Sequence, residues 1–258
     1  MSSGFYSDIE TFKQSSGYEI DGGWYPRVTK IVEIKAKPGL ANFYRSVGSY
    51  DAARGITENA AKEGTLVHEV AEKILIGEHP AIPVEIQPAM TALSSFLEHN
   101  DIRVDKEFVE RRIFHPEHRY AGTIDTLALI DGKFGVLDIK TSQAIYRDYN
   151  LQTSAYIEAL LEEFPTLETR WILRIDQTRD CQRCGSVSRT KGGRETVKKS
   201  KTGAAPCINA DHDWTEVKGR IEMQESPYWQ HDFQAFLGAK KLWEWENEYW
   251  LRKIGYLE

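Results

Sequence analysis

The sequence predicts a mixed fold, α/β or α+β, and three observations carry that reading. The chain has 258 residues, 41% of them hydrophobic, enough for one sizeable core or for one domain with an insertion. Residues 60–76 and 85–99 repeat apolar side chains at helical spacing, whereas 107–115, 120–130 and 134–140 are short apolar runs of strand character. The polar stretch 177–214 then breaks the regular pattern and contains all three cysteines.

Each element has its own signal. Residues 1–25, rich in Ser, Gly and Tyr, read as a loose leader. The alternation in Thr29-Lys-Ile-Val-Glu-Ile-Lys35 predicts a strand. Residues 39–50 fit a short helix, and 60–76 a clear one that Gly77 and Pro80 end. In the helix expected over 85–99, Ile86, Met90, Leu93, Phe96 and Leu97 share one face. Asp131-Gly132, between the strands 120–130 and 134–140, signals a tight hairpin. Residues 146–164 read as a helix stopped by Pro165, and 170–176 as a further strand. Strand character resumes over 217–223, so 177–214 reads as an insertion in a hairpin, and 229–253 reads as one long aromatic-rich helix. The resulting plan is a leader over 1–25, a core over 26–176, the insertion over 177–214, and a strand and helix over 215–258 that complete the core.

Bulk properties narrow the function. No run of about 18 apolar residues occurs, so no membrane span is expected. The N-terminus lacks a basic region followed by an apolar one, which makes the cytoplasm the expected location. Three cysteines do not build a disulfide framework. The net charge of −6 argues against a histone-like coat. Its distribution is uneven: residues 170–206 hold ten Lys/Arg against three acids, or +7, which leaves −13 for the remainder. A basic appendage on an acidic body fits contact with a polyanion, and a solvated loop is the plain alternative. No Gly-x-x-x-x-Gly-Lys-Ser/Thr phosphate loop occurs, so any motor must be another chain.

The chemistry centres on Gly122-Thr-Ile-Asp125 and Gly135-Val-Leu-Asp138-Ile-Lys140-Thr141. Strand alternation puts Asp138 and Lys140 on one face and Ile139 on the other. Two acids able to share a divalent ion, with a lysine beside them, suit activation of water against a phosphodiester. His68, on the helix over 60–76, can offer an imidazole, a ligand that fits Mn²⁺ as well as Mg²⁺. Asp125, Asp138, His68 and the Ile139 carbonyl are therefore the candidate ligands for one or two ions. Lys140 is expected to orient or help deprotonate the attacking water and to offset transition-state charge. Gln152 and Tyr156, four apart on the next helix, share a face turned toward the lysine. They are expected to position the substrate strand or bond to the lysine and metal shell. Glu110, in the strand before the Gly-x-x-Asp segment, is expected to be an outer ligand or supporting acid. Each residue alone has an ordinary structural explanation; their order in one chain is the signal.

That order resembles the RecB-type branch of the PD-(D/E)xK nuclease superfamily. Gly64…His68-Glu69, Gly122-Thr-Ile-Asp125, Leu137-Asp138-Ile-Lys140-Thr141 and Gln152-Thr-Ser-Ala-Tyr156 carry the resemblance, across roughly residues 27–175. It implies an α/β fold with a restriction-endonuclease-like core, a mixed central sheet flanked by helices. It implies His68, Asp125 and Asp138 as ligands of Mg²⁺ or Mn²⁺, Lys140 as catalytic, and Gln152 and Tyr156 as the motif downstream of the lysine. The implied activity is metal-dependent DNA cleavage, often exonucleolytic, at duplex ends or on single strands. Recombination, repair or phage DNA processing in a bacterial, archaeal or phage-infected cell would be its setting. A helicase or recombination protein would be its partner in a larger assembly, and a non-catalytic DNA-binding module is the competing expectation. Iron–sulfur members of this branch use four cysteines, one of them before the core; here there are three, all after the motifs, so no such cluster is expected.

The insertion has a separate logic. Cys181-x2-Cys184-x22-Cys207-x4-His212 has the spacing of a zinc knuckle, with Asp211 or Asp213 as alternatives to His212. A loop with little core of its own gains one from a structural Zn²⁺, and the basic residues around it would then form a rigid patch for phosphates. In the C-terminal stretch, Trp229, Phe233, Phe236, Trp243 and Trp250 fit a buried stripe better than a base-stacking platform.

Overall fold

The computed structural model describes residues 6–35, 38–200, 205, 207 and 211–258. The first five residues of the expected leader, and Lys201 of the basic run, lie outside the described residues. In chain order the elements are α1 (Ile9–Ser16), β1 (Gly17–Ile20), β2 (Gly23–Pro26), α2 (Val28–Val32), α3 (Pro38–Val47), α4 (Tyr50–Leu75) and α5 (Gln87–Glu98). Then come β3 (Ile102–Val104), β4 (Arg111–His115), β5 (Tyr120–Ile124), β6 (Thr126–Ile130), β7 (Lys133–Lys140) and α6 (Asp148–Leu160). The chain closes with β8 (Thr169–Asp180), β9 (Val187–Lys191), β10 (Arg194–Lys198), β11 (Lys218–Glu225), α7 (Gln230–Glu246) and α8 (Glu248–Lys253).

A mixed sheet organises the molecule, as expected. Among the described residues its order is β10-β9-β8-β7-β6-β3, with β11 also on β8. β7 and β8 are parallel, joined through α6, and the other pairings in this sheet are antiparallel. The β6–β7 turn is the expected one: Asp131 (φ 50°) and Gly132 (φ 81°) both take the left-handed backbone that a type I′ hairpin demands. Strand alternation then divides the core. Leu137, Ile139, Leu173 and Ile175 face α4 and α5, which bring Val67, Val70, Ala71, Met90 and Leu93. Val136 belongs to the opposite cluster, with Ala155, Ile157 and Leu160 of α6 and Phe233, Phe236 and Trp243 of α7. No helix among the described residues is long and apolar enough to cross a membrane.

Several expected elements are corrected. The leader is not loose: Asp8 caps α1 by accepting the Thr11 N–H at 2.7 Å, and β1 and β2 form a hairpin. Phe12, fully buried, stacks on Trp24 and Trp250, so this segment belongs to the core. Residues 29–35 do not form a strand; Val28, Ile31 and Val32, at i, i+3 and i+4, bury one side of α2. Residues 107–115 begin as a 3-10 turn over Lys106–Phe108, and only Arg111–His115 is extended. The strand expected over 120–130 is two strands that part at Asp125: β5 leaves the main sheet to pair with β4, while β6 stays beside β7. The long C-terminal helix breaks at Asn247, whose side chain donates to the Trp243 carbonyl. Of the expected stripe, Phe233, Phe236, Trp243 and Trp250 are buried, and Trp229 is half-buried against the same cluster.

Candidate active site and metal centre

The break at Asp125 builds the site. Where β5 departs, the Asp125 carboxylate accepts the Ile139 N–H of β7 at 2.6 Å, and its carbonyl accepts the Glu110 N–H at 2.9 Å. Asp138 and Lys140 project from the same face of β7 and form a close ion pair, with Asp138 fully buried. α6 comes down on that face. Gln152 Nε2 donates to Asp138 Oδ1 at 3.2 Å and to the Tyr156 hydroxyl at 2.9 Å. Gly122 makes room for this arrangement, since a Cβ there would lie 2.6 Å from the Tyr156 ring. From the other side, α4 presents His68, whose Nδ1 lies 3.8 Å from Asp125 Oδ2. The structure thus brings His68, Asp125, Asp138, Lys140, Gln152 and Tyr156 together from four parts of the chain.

Glu110 also reaches the site, from a different backbone than expected. It sits in a turn before β4 with φ of 51°, not within a strand. There it shares a cleft of about 560 Å³ with Gly64, His68, Glu72 and Thr141. Glu72 is not among the residues the sequence singles out, although its place four residues after His68, one turn along the helix, is the signal that finds it. Glu72 Oε1 is buried without a hydrogen-bond partner among the described residues.

Electrostatics follow from crowding acids in a partly buried cleft. Burial, then the Glu110 and Asp125 charges, pushes the Glu72 carboxyl up to about 8. Burial likewise raises Asp125. Asp138 is pushed up to about 6 by burial and by Asp125, against the lowering effect of Lys140. Burial pulls Lys140 down, but Asp138 and Asp125 together hold its ammonium above the ordinary value. His68 is lowered by burial and by Lys140, which favours the neutral imidazole that ligates metal. An orphaned carboxylate oxygen and raised acids are the chemistry of a donor set that a divalent cation would satisfy.

The second cluster lies in the insertion. Cys181, Cys184, Cys207 and His212 place their ligand atoms within 4.8 Å of one another, so the group could hold a metal ion and is compatible with a structural zinc. Among the described residues it is the one His/Cys/Asp/Glu group drawn to that spacing; the acidic site is more open. The Cys181 and Cys207 sulfurs are 3.7 Å apart, and His212 Nδ1 is 3.4 Å from Cys184 Sγ. The Ser186 hydroxyl leads the interactions that lower Cys184 to about 5, toward the thiolate a metal needs. Of the alternative ligands, Asp211 is turned to Arg183 instead, at 3.2 Å.

No protein-family model matches the chain, and no curated protein matches it.

Proposed function

We propose that the chain is a metal-dependent deoxyribonuclease of the PD-(D/E)xK type, RecB-like, hydrolysing phosphodiester bonds at DNA ends or in single strands. The observation that carries this reading is the buried Asp138–Lys140 pair, with Asp125 and His68 converging on it from outside the strand. A surface ion pair needs no such surroundings; a buried one with two further ligand-type groups does.

His68, Asp125 and Asp138 would hold Mg²⁺ or Mn²⁺, with Glu72 and Glu110 as the nearest additional carboxylates. When bound, such an ion polarises the scissile phosphate and lowers the pKa of water. Lys140 keeps its proton beside two carboxylates and so can orient the attacking water and offset charge on the phosphorane-like transition state. Gln152 fixes the Asp138 carboxylate from the α6 side, and Tyr156 fixes Gln152. A structural Zn²⁺ on Cys181, Cys184, Cys207 and His212 would hold the insertion in shape beside this site.

End-labelled single- and double-stranded DNA, incubated with Mg²⁺, Mn²⁺ or EDTA, tests the reading against Asp138→Ala and Lys140→Ala. The expected result is metal-dependent digestion that both variants lose, with a ladder that reports polarity. Digestion that survives in both folded variants overturns the assignment. Absence of digestion by the pure wild type under every metal leaves a DNA-binding module.

A further inference from the structure

Beyond the end of β7, the edge of β8 is taken over by β9: Lys140 pairs Arg174, and five and six residues further Arg179 and Asp180 pair Ser188 and Val187. The β9–β10 hairpin therefore stands directly over the exit of the strand that carries Lys140. Between this hairpin, β8 and β11 lies a cavity of about 370 Å³ lined by Arg174, Arg189, Lys198, Lys199 and Arg220, with Asp176 as its acid. Register places Arg174 level with Lys140, and Arg220 level with Asp176, so the cavity continues the sheet face of the Asp138–Lys140 pair.

The arginines are held rigidly. Arg189 Nε lies 2.8 and 2.9 Å from the two Asp176 oxygens, and its Nη2 donates to the Thr141 carbonyl at 2.8 Å. Arg174 pairs with Asp176 at 2.9 Å and Glu222 at 2.8 Å, and Arg220 pairs with Asp180. Five cations thus face three carboxylates (5 − 3 = +2), and the excess resides on Lys198 and Lys199, which make no ion pair among the described residues. Fixed guanidinium donors with uncompensated ammonium groups at the mouth match a phosphate, whose oxyanions accept charge-assisted hydrogen bonds. A cationic ligand would meet the excess positive charge there.

We propose that this cavity is a phosphate subsite, which takes a phosphate of the nucleic-acid strand as it leaves the bond placed at Lys140. The identity of the strand rests on the nuclease reading; the anion preference does not. Through the Arg189–Thr141 and Arg174–Ser142 contacts, a phosphate seated here would register the strand against Asp138 and Lys140. Two sources share this chemistry, a backbone diester and a terminal monoester.

The test is binding with no Mg²⁺ or Mn²⁺ added and no chelator present, so that cleavage lacks its ion while the insertion keeps any zinc it holds, followed by fluorescence anisotropy. The probes are labelled single-stranded oligonucleotides with a 5′-phosphate, a 3′-phosphate or hydroxyl ends. Lys198→Ala/Lys199→Ala removes the excess charge without touching the Asp176 clamp or the candidate catalytic residues. Its expected effect is affinity weakened about tenfold or more at low salt, with the slope of log K against log salt reduced by about 0.7 per lost contact. Lys198→Arg/Lys199→Arg should restore both. Weakening on all probes assigns a backbone phosphate; weakening confined to one phosphorylated end assigns a terminal one. Unchanged affinity and slope overturn the proposal, as does equal weakening by Lys241→Ala/Arg252→Ala on the C-terminal helices. Because cleavage is measured separately, a protein that never cuts DNA yet binds it through Lys198 and Lys199 would fail the nuclease reading and keep this one.

Discussion

Gln152 shows how much a single uncharged side chain can control at this site. Asp138 Oδ1 is buried, and Gln152 donates to it, while the Lys140 ammonium occupies Oδ2. Removing the amide leaves the carboxylate free to rotate toward the lysine and away from a metal. Gln152→Ala is therefore expected to raise the metal concentration for half-maximal cleavage about 10- to 100-fold, the cost of losing a group that orients a ligand. A metal titration with an unchanged midpoint would show that Gln152 is only packing. Arg170 sets the contrasting case. Its guanidinium is fully buried against Asp232 of α7, with carbonyls of Asn150 and Tyr228 as further acceptors, on the same side of the sheet as α6. Arg170→Ala strands the Asp232 carboxylate and is expected to cost about 3 kcal/mol of stability, read as a fall in Tm at any metal concentration. An Arg170→Ala protein with the melting curve of the wild type would refute that account. These two residues also mark what sequence can show. Gln152 was legible because it sits four before Tyr156 on a helix after an Asp-x-Lys strand. Arg170, placed in a basic run, gave no sign of its burial, because its partner is 62 residues away.

At the scale of elements, the parts that read correctly are those whose signal is local. The Asp131-Gly132 turn and the α5 face need only neighbouring residues to specify them. The parts misread are those that distant contacts decide. α1, β1 and β2 carry few apolar residues, and Phe12 and Trp24 find their partners on α7 and α8 at the far end of the chain. The parting of β5 from β6 at Asp125 is invisible in a continuous stretch of strand character, yet it is what turns that carboxylate into the site. The hairpin of β9 and β10 depends on a contact of the same distant kind. Its tip meets α4 at Gly192, which has φ of 61° and would place a Cβ 2.2 Å from the Ile56 carbonyl oxygen. The Gly192 N–H donates to Glu63 at 3.0 Å, and Lys191 stands 3.7 Å from the same carboxylate. Gly192→Val combines a disfavoured backbone with a clash against helix backbone, so the tip should lift from α4. The expected result is faster proteolysis within 187–198, with a local cost of about 1–3 kcal/mol and little change in the main melting transition. Identical digestion patterns for variant and wild type would mean that the tip is not held by this contact.

For the molecule as a whole, the division of charge and the division of core run together. Residues 170–206 carry +7 against −13 elsewhere, and much of that positive charge lies in the insertion between β8 and β11. The sheet and its helices have two apolar clusters, and among the described residues neither cluster draws on the insertion. Among the described residues, what is buried inside the insertion is mainly Cys181, Cys184, Ser186 and Ser188, little apolar area to order such a segment unaided. The cohesion must come from β-pairing to Arg179 and Asp180 and from whatever the Cys181, Cys184, Cys207 and His212 group holds. If that is zinc, its removal should unfold one part and spare the other, because binding free energy at such a site is folding free energy. Treatment with a zinc-selective chelator, or the Cys184→Ser substitution, should release stoichiometric zinc and raise amide exchange over 181–215. Exchange in β6, β7 and α6 should stay slow, and the main Tm should move by only a few degrees. Binding of single-stranded DNA should fall at the same time, since Lys198 and Lys199 would no longer be held at the cavity between β8, β9 and β11. Two results would each defeat this account: purified protein that contains no zinc, or chelation that collapses the core and the insertion in one transition. The first removes the metal; the second removes the independence of the two parts on which the expected selective loss depends.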